Sequence, residues 1–360
     1  MTLSGQLRIM LAACSFAATA LAQEAEPAWT DRITASGDLR LRWEGIYQDE
    51  KEDKENGRYR GRIGLAAQVS DDVKLIFRLA TGDGNPASTN LAFGDGFSLE
   101  QINLDRAYVD WKVNDVTRLF VGKMKNPWFL AGGNTLMWDS DYNVEGIAAA
   151  FQTGMFFGRL GLMVVDGAQG DEDTYLYNGQ AGTRFSLGES SIISIGGGYF
   201  DYRDVAGKQP FYKGRNQGNS LDADGRYLYD FTIVEFFAEY KSEFRGWPIV
   251  FYGEWTKNTA VSIENNAFAL GFKLGSAKKR GGFQFNYAYH DTEADALIGT
   301  FTDSDFAGGN TDSSGHYSKA KFALRDNIVL GGTIIVAQLD EFAGNERDYN
   351  RIMIDIEFSF

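Results

Sequence analysis

The C-terminal segment constrains the fold most strongly, because strict alternation of apolar and polar residues runs up to the last position. One face of this segment carries Ile352, Ile354, Ile356, Phe358 and Phe360. The other face carries Arg351, Met353, Asp355, Glu357 and Ser359. Successive side chains of a strand point to opposite sides, so the pattern predicts a strand with one apolar and one polar face. A strand that stops at the chain end is what the closing strand of a barrel requires.

The same period of two recurs along the chain. Further apolar sets begin at Leu39, Tyr59, Val73, Val234, Phe268 and Phe283. The connections between such segments alternate in length, seven short and eight long, which predicts sixteen strands, with an uncertainty of two. This count predicts an all-β, antiparallel sheet in which neighbouring segments are joined in sequence order.

The chain has no run of 18 apolar residues after its N-terminal segment, so no membrane-spanning helix is expected. Strands with one apolar face can cross a membrane only as a closed barrel, because hydrocarbon cannot satisfy a free sheet edge. We therefore predict a transmembrane β-barrel with short periplasmic turns and long extracellular loops. Phe358 and Phe360 resemble the C-terminal signal that the barrel assembly machinery of the outer membrane recognises.

The N-terminal segment predicts export. Residues 1–22 have Arg8, an apolar stretch and the cleavage pattern Ala20-Leu21-Ala22 of a signal peptide. A lipoprotein signal ending at Cys14 is the alternative, but the apolar stretch before Cys14 is short. We assign residues 23–32 to a periplasmic lead and 33–360 to the barrel, located in the cell outer membrane. Cys14 is the only cysteine, so no disulfide is expected, and the net charge of −14 disfavours nucleic acid as a partner.

Several segments together resemble a known family. They are Gly37–Glu44, Arg58–Gly64, Arg78–Gly82, Arg106–Trp111 and Val121–Met124. This set is similar to the "putative porin" family of Gram-negative outer membranes, over nearly all of the chain after residue 22. The resemblance implies a general or loosely selective diffusion channel without a defined substrate, and no catalytic residues carry over from it. We expect small hydrophilic solutes to pass, and we expect no cofactor and no metal.

The polar faces of the strands would line the lumen of such a barrel. Basic residues predicted there are Arg40, Arg42, Arg58, Arg60, Arg62, Arg78, Arg118, Lys319, Lys321, Arg325 and Arg351. Acidic residues predicted on the opposite wall are Asp201, Glu235, Glu239 and Glu254. Two walls of opposite charge would select ions; the alternative is that these side chains only keep the lumen polar.

The third long connection, Asn126–Glu145, is a candidate constriction loop. It is apolar for a surface loop and also carries charge; its candidate residues are Trp128, Asp139, Asp141 and Glu145. Folded into the lumen, it would pack its apolar groups on the wall and set its carboxylates opposite the arginines. The alternative is a loop that packs on the barrel rim or on a neighbouring subunit.

Other functions remain as alternatives to a porin. A closed structural or adhesive barrel would use the long loops, and an outer-membrane hydrolase would use His290 or His316, although no serine has a persuasive spacing to either. The runs Asp171–Asp173 and Asp303–Asp305 could hold divalent ions that bridge lipopolysaccharide, or be solvated loop acids. We expect outer-membrane lipid and lipopolysaccharide as surroundings, a homotrimer by analogy, and no enzymatic activity.

Overall fold

The protein is a closed antiparallel β-barrel in a computed structural model. The structure describes residues 29–94, 96, 98–166 and 173–360. The predicted signal peptide, most of the predicted lead, and Asp171 and Glu172 lie outside these residues. None of the helices in the described part of the chain is long or apolar enough to span a membrane.

Seventeen strands form one sheet. They are β1 (Ile33–Gln48), β2 (Lys54–Gln68), β3 (Val73–Thr81), β4 (Leu91–Ala92), β5 (Ile102–Lys112), β6 (Thr117–Lys125), β7 (Asn143–Thr153), β8 (Phe156–Asp166), β9 (Thr174–Leu187), β10 (Ser191–Tyr202), β11 (Phe231–Phe244), β12 (Trp247–Asn258), β13 (Asn266–Gly275), β14 (Phe283–Thr292), β15 (Ser313–Arg325), β16 (Ile328–Leu339) and β17 (Arg347–Ser359). Short 3₁₀ helices span Trp29–Arg32, Ala131–Gly133, Gly299–Phe301 and Phe306–Gly309.

The barrel wall contains sixteen of these strands, which confirms the predicted number. The short strand β4 lies in a loop and, among the described residues, pairs with Arg58 and Tyr59 of β2 alone. Each remaining strand pairs with its neighbours in sequence, and β1 closes the ring by pairing with both β2 and β17. The terminal residue completes this seam, because the Phe360 amide donates to the Gly37 carbonyl (3.0 Å) and the Gly37 amide donates back (3.1 Å).

The burial of side chains is the reverse of that in a water-soluble sheet. Ile63 and Leu270 on the outer face are 60% and 57% exposed, whereas Arg42 and Glu44 on the inner face are 3% and 2% exposed. Strand β1 shows this alternation residue by residue, with Leu39, Leu41 and Trp43 turned outward. Apolar groups facing outward and charged groups facing inward are the arrangement that a lipid-embedded barrel needs.

Long loops fill part of the interior. The β6–β7 loop (126–142), the β10–β11 loop (203–230) and the β14–β15 loop (293–312) contribute buried apolar side chains to one cluster with the inner faces of the strands. Within this cluster, Phe200 of β10 and Phe231 of β11 are almost fully buried. The interior is therefore packed on the β10–β11 side, whereas two cavities are lined by residues of β1, β2 and β3.

Candidate pore constriction

The β6–β7 loop lies inside the barrel. Its two tryptophans, Trp128 and Trp138, are buried, and each ring centre is 5.9 Å from that of Phe200 on the inner wall. Burial of large aromatic rings supplies apolar contact area that holds the loop against the wall. Of the two arrangements considered from the sequence, the structure has the loop in the lumen rather than on the rim.

The tip of this loop is fastened by polar side chains of the far wall. The Phe129 amide donates to Gln180 Oε1 (2.8 Å), the Gly132 amide to Glu239 Oε2 (2.8 Å), and Asn134 Nδ2 to Glu254 Oε2 (2.6 Å). Glu235 also faces inward, where its carboxylate accepts from Gln180 Nε2 (2.9 Å). The three predicted acidic positions Glu235, Glu239 and Glu254 are therefore covered by the loop or bound to its partners.

The β14–β15 loop also crosses the interior and locks onto the β6–β7 loop. The Asp139 amide donates to the Phe301 carbonyl (2.7 Å), and the Ser304 amide donates back to Asp139 Oδ2 (2.8 Å). Thr135 Oγ1 adds a bond to Asp303 Oδ2 (2.6 Å). The sequence pattern did not single out this loop as a lumen element, although its apolar run 296–298 was a usable signal. Asp303 and Asp305 are thus interior groups and not the solvated surface acids that we considered.

The opposite wall is basic and strongly paired. It consists of inward-facing arginines of β1, β2, β3 and β17, called here the basic wall: Arg40, Arg42, Arg58, Arg60, Arg62, Arg78 and Arg351. Strand carboxylates neutralise much of it, as in the pairs Arg42–Asp355 (2.7 Å), Arg58–Glu44 (3.1 Å), Arg60–Asp38 (2.8 Å), Arg62–Asp38 (2.7 Å), Arg351–Glu44 (2.7 Å) and Arg78–Asp105. Close arginines are tolerable where each has a carboxylate partner.

Two loop carboxylates reach the basic wall from across the lumen. Asp141 of the β6–β7 loop lies 3.2 Å from Arg62 Nη1, and Asp305 of the β14–β15 loop lies 2.9 Å from Arg42 Nη1 and 2.8 Å from Arg351 Nη2. Burial opposes ionisation of Asp141, but Arg60, Arg62 and Arg40 outweigh it and lower the pKa. Burial likewise opposes ionisation of Asp305, yet Arg351, Arg42 and Arg40 hold its pKa well below the usual range.

Two further loop carboxylates, Asp139 and Asp303, behave in the opposite way. Burial, with repulsion from Asp303 and Asp141, raises the pKa of Asp139 well above its usual range. Burial, with repulsion from Asp305, raises the pKa of Asp303. The two loops therefore present two carboxylates that favour the ionised form, Asp141 and Asp305, to the arginines. Asp139 and Asp303, at the contact between the loops, resist ionisation.

Comparison with known proteins identifies the family. The family model described as "Putative porin" matches residues 44–227 and 229–360. The chain belongs to the putative porin family. A search of curated proteins found no match.

Solved structures of outer-membrane proteins share the fold of this porin. OprB of Pseudomonas putida at high pH superposes with a TM-score of 0.61 at 12% identity, over 92% of this chain and 95% of that one. A mutant porin of Rhodopseudomonas blastica gives 0.53 at 14% identity, over 91% and 100%. OmpT of Vibrio cholerae without loop L8 gives 0.51 at 12% identity, over 92% and 100%. The protein is an outer-membrane porin with the sixteen-stranded porin fold.

Two predicted lumen residues of the porin lie elsewhere. Asp201 follows the inward-facing Phe200 in β10, so it points outward, where it pairs with Arg203. Glu145 belongs to β7 and not to the constriction loop; it points outward and pairs with Lys123 (2.5 Å). Both predictions are wrong. These residues lie at the extracellular ends of their strands, where the outer face is no longer required to be apolar.

The remaining predicted residues occupy three regions. Arg118 faces inward near the periplasmic end and pairs with Asp110, and Arg325 is exposed after a bulge at the end of β15. Lys319 and Lys321 face the lumen from β15. Phe358 lies on the outer face beside Leu39, and Phe360 is exposed at the seam.

Arg106, which the sequence analysis did not propose for the lumen, faces inward and donates to Asn143 Oδ1 (2.7 Å).

The two histidines lie on opposite faces of the wall. His290 is buried inside against Phe306, with ring centres 4.9 Å apart. His316 is exposed outside and its Nδ1 lies 2.8 Å from the Tyr287 hydroxyl. In the described part of the chain, no group of three or more His, Cys, Asp or Glu side chains is arranged to hold a metal ion.

Proposed function

We propose that small hydrophilic solutes and ions diffuse passively along the basic wall, through the space between that wall and the two inward loops. The observation that supports this best is the reach of Asp141 and Asp305 across the lumen to Arg62 (3.2 Å) and Arg42 (2.9 Å). Fixed charges of opposite sign on the two sides would impose a transverse field on the opening. Such a field orders water and disfavours apolar solutes.

Two cavities approach this charged zone from the two ends of the barrel. The extracellular cavity, of about 430 Å³, is lined by Arg58, Ser304, Asp305 and Arg351 among others. The periplasmic cavity, of about 290 Å³, is lined by residues that include Asp38, Arg62, Arg78 and Arg106. A solute moving along this route would exchange water for polar groups at each step, so no apolar barrier need be crossed.

Conductance in a planar lipid bilayer tests the proposal. Refolded porin should open in uniform, nearly ohmic steps, and proteoliposomes should swell faster in small sugars than in large ones. Arg60→Gln with Arg62→Gln should change the step conductance by about twofold, because the field at the opening falls. The matched variant Lys278→Gln with Lys279→Gln, in the exposed periplasmic turn between β13 and β14, should leave it unchanged. Silence from protein shown to be folded would contradict the proposal.

We further propose the properties that accompany this function. Residues 1–22 would direct export, the β17 strand with Phe358 and Phe360 would be read by the barrel assembly machinery, and the porin would have no enzymatic activity. Its outer face would contact membrane lipid and its loops lipopolysaccharide. A homotrimer stays a prediction, which light scattering of the porin in detergent would test; a monomeric mass would contradict it.

A further inference from the structure

A second basic cluster lies in the lumen, apart from the basic wall. Lys273 of β13 and Lys319 and Lys321 of β15 all face inward, close to the periplasmic ends of their strands. Lys273 and Lys319 occupy one register row, joined by Asn286 of β14, which pairs with both. Lys321 follows on the same face of β15. These four residues are called here the lysine station.

The spacing within the lysine station suits a compact ligand. Two interstrand steps separate the backbones of Lys273 and Lys319 by about 10 Å, and two residues along a strand separate Lys319 and Lys321 by about 7 Å. Lysine side chains are long and flexible enough for three ammonium groups to converge within such a triangle. Asn286 adds an amide, since its Oδ1 accepts from the Tyr252 hydroxyl (3.3 Å) while its Nδ2 makes no hydrogen bond within the described residues.

The lysine station differs from the basic wall in having no carboxylate in direct contact with its ammonium groups among the described residues. Among residues 29–94, 96, 98–166 and 173–360, no carboxylate oxygen lies within 4.0 Å of the ammonium groups of Lys273, Lys319 or Lys321. By contrast, the arginines of the basic wall pair with strand and loop carboxylates. The nearby Lys241 is neutralised by Glu239 (2.6 Å). The lysine station therefore brings three ammonium groups, without a direct carboxylate partner in the described part of the chain, to one place on the inner wall.

The station also lies beside the constriction. A Cβ atom placed on Gly133, at the tip of the β6–β7 loop, would be 3.6 Å from Lys273 Nζ. A solute passing the loop tip on the periplasmic side would thus meet these ammonium groups. Anions should dwell there, because hydrogen bonds between ammonium donors and anionic oxygens are stronger than neutral ones.

We propose that the lysine station is a binding site for small multivalent anions bearing phosphate or carboxylate groups, and that it sets the anion preference of the channel. The preference for anions rests on the proposed function, because it needs a conducting lumen. Anion binding does not rest on the proposed function, since the folded barrel forms the lysine station whether or not the barrel conducts. The paired arginines contribute the field at the opening, but most of their charge is cancelled locally.

Reversal potentials in a KCl gradient test the selectivity. The wild-type porin should favour chloride, and Lys273→Gln, Lys319→Gln, Lys321→Gln should lower the chloride-to-potassium permeability ratio at least about threefold. The triple Lys→Arg variant should retain the wild-type ratio. A matched control removes three charges from the neighbouring periplasmic turn, Lys278→Gln, Lys279→Gln, Arg280→Gln, and should change the ratio little. An unchanged ratio in the lysine variant overturns this assignment.

Calorimetric titration of folded porin in detergent with inorganic phosphate, and separately with succinate, tests binding without relying on conduction. Either ligand should bind the wild type and bind the triple Lys→Gln variant about tenfold more weakly, equivalent to about 1.4 kcal/mol. Phosphate binding alone, or succinate binding alone, would identify which anion the site accepts. No binding of either, or equal binding to the variant, overturns the site. A silent bilayer together with lysine-dependent binding would refute the porin function and leave the station standing.

Discussion

Asp305 is the residue at which the two sides of the constriction meet. Its carboxylate contacts Arg42 and Arg351, and these arginines also bind Asp355 and Glu44 on the strands. Each of the two guanidiniums is therefore shared between a wall carboxylate and a loop carboxylate. Such charge-assisted contacts are directional, so they fix the loop as well as neutralising charge. Asp303, two residues earlier, faces the loop interface instead and bonds to Thr135.

This difference predicts unequal effects of two similar substitutions. Asp305→Asn should lower the free energy of unfolding by about 2 kcal/mol, because two charge-assisted contacts become neutral ones. Asp303→Asn is the matched control and should cost much less, since burial already disfavours the ionised form of Asp303. Urea unfolding in detergent, followed by tryptophan fluorescence, measures both. Equal losses would show that the arginine contacts are not what holds the loop.

Among the elements, the contact between the β6–β7 and β14–β15 loops is the one that should respond to pH. Asp139 bonds to the backbone of the β14–β15 loop, and its raised pKa means that the docked loop prefers the protonated form. A carboxyl group with a raised pKa contributes stability that is present below its free value of about 3.9 and lost as pH rises through the docked value. Asp141 and Asp305 contribute oppositely, and their stabilisation is lost only as pH falls through their lowered values.

Loop docking should therefore weaken as pH rises above about 4 towards neutrality. The measurement is hydrogen exchange at the amides of Asp139 and Ser304, corrected for the intrinsic rate at each pH. Asp139→Asn should flatten this dependence, because the amide imitates the protonated acid. Protection that increases with pH in the wild type would contradict the assignment of Asp139 as the controlling group.

The loop tip offers a second test at this scale. A Cβ on Gly132 would lie 2.1 Å from the Tyr252 ring, whereas one on Gly133 meets only Lys273 Nζ at 3.6 Å; both glycines have φ near +60° (61° and 63°). Gly132→Ala and Gly133→Ala thus share the backbone strain and differ in the clash. Only Gly132→Ala should displace the tip, giving a larger and noisier single-channel conductance. Similar recordings from the two variants would refute the close approach to Tyr252.

For the whole molecule, closure depends on the seam between β1 and β17. A Cβ on Gly37 would lie 2.6 Å from the Arg62 carbonyl oxygen and 2.6 Å from the Phe360 ring, so the seam leaves no room for a side chain. Gly332 of β16 has open space at the same position and provides a matched control. A barrel with an open seam would expose unpaired backbone groups to lipid, which is costly.

Gly37→Ala should accordingly lower the yield of closed barrel on refolding by several fold, while Gly332→Ala should refold like the wild type. Closed and unfolded forms are separated by their different migration in gels run without heating. If both variants refold equally well, closure does not depend on the packing around Gly37.

The sequence by itself determined the barrel. Outward apolar and inward polar groups must alternate along every lipid-facing strand, so a local period of two was enough to predict sixteen strands, their membrane setting and the closing role of the last strand. The same rule predicted the inward arginines such as Arg42 and Arg60. It failed at Asp201, because at the strand ends water replaces lipid and polarity no longer reports which way a side chain points. Glu145 was instead assigned to the constriction loop, because the polar start of β7 at Asn143 resembles a loop.

Only the tertiary structure decided what occupies the lumen. The inward course of the β14–β15 loop, the anchoring of the β6–β7 loop by Glu239 and Glu254, and the contact of Asp305 with Arg42 join residues more than a hundred positions apart. No local pattern encodes such pairs, since they arise from the curvature of the closed wall and the register that brings distant strands opposite one another. The sequence also predicted that Lys319 and Lys321 lie in the lumen. That they lie beside Lys273 and have no direct carboxylate partner among the residues described depends on strand register, so only the fold decided it.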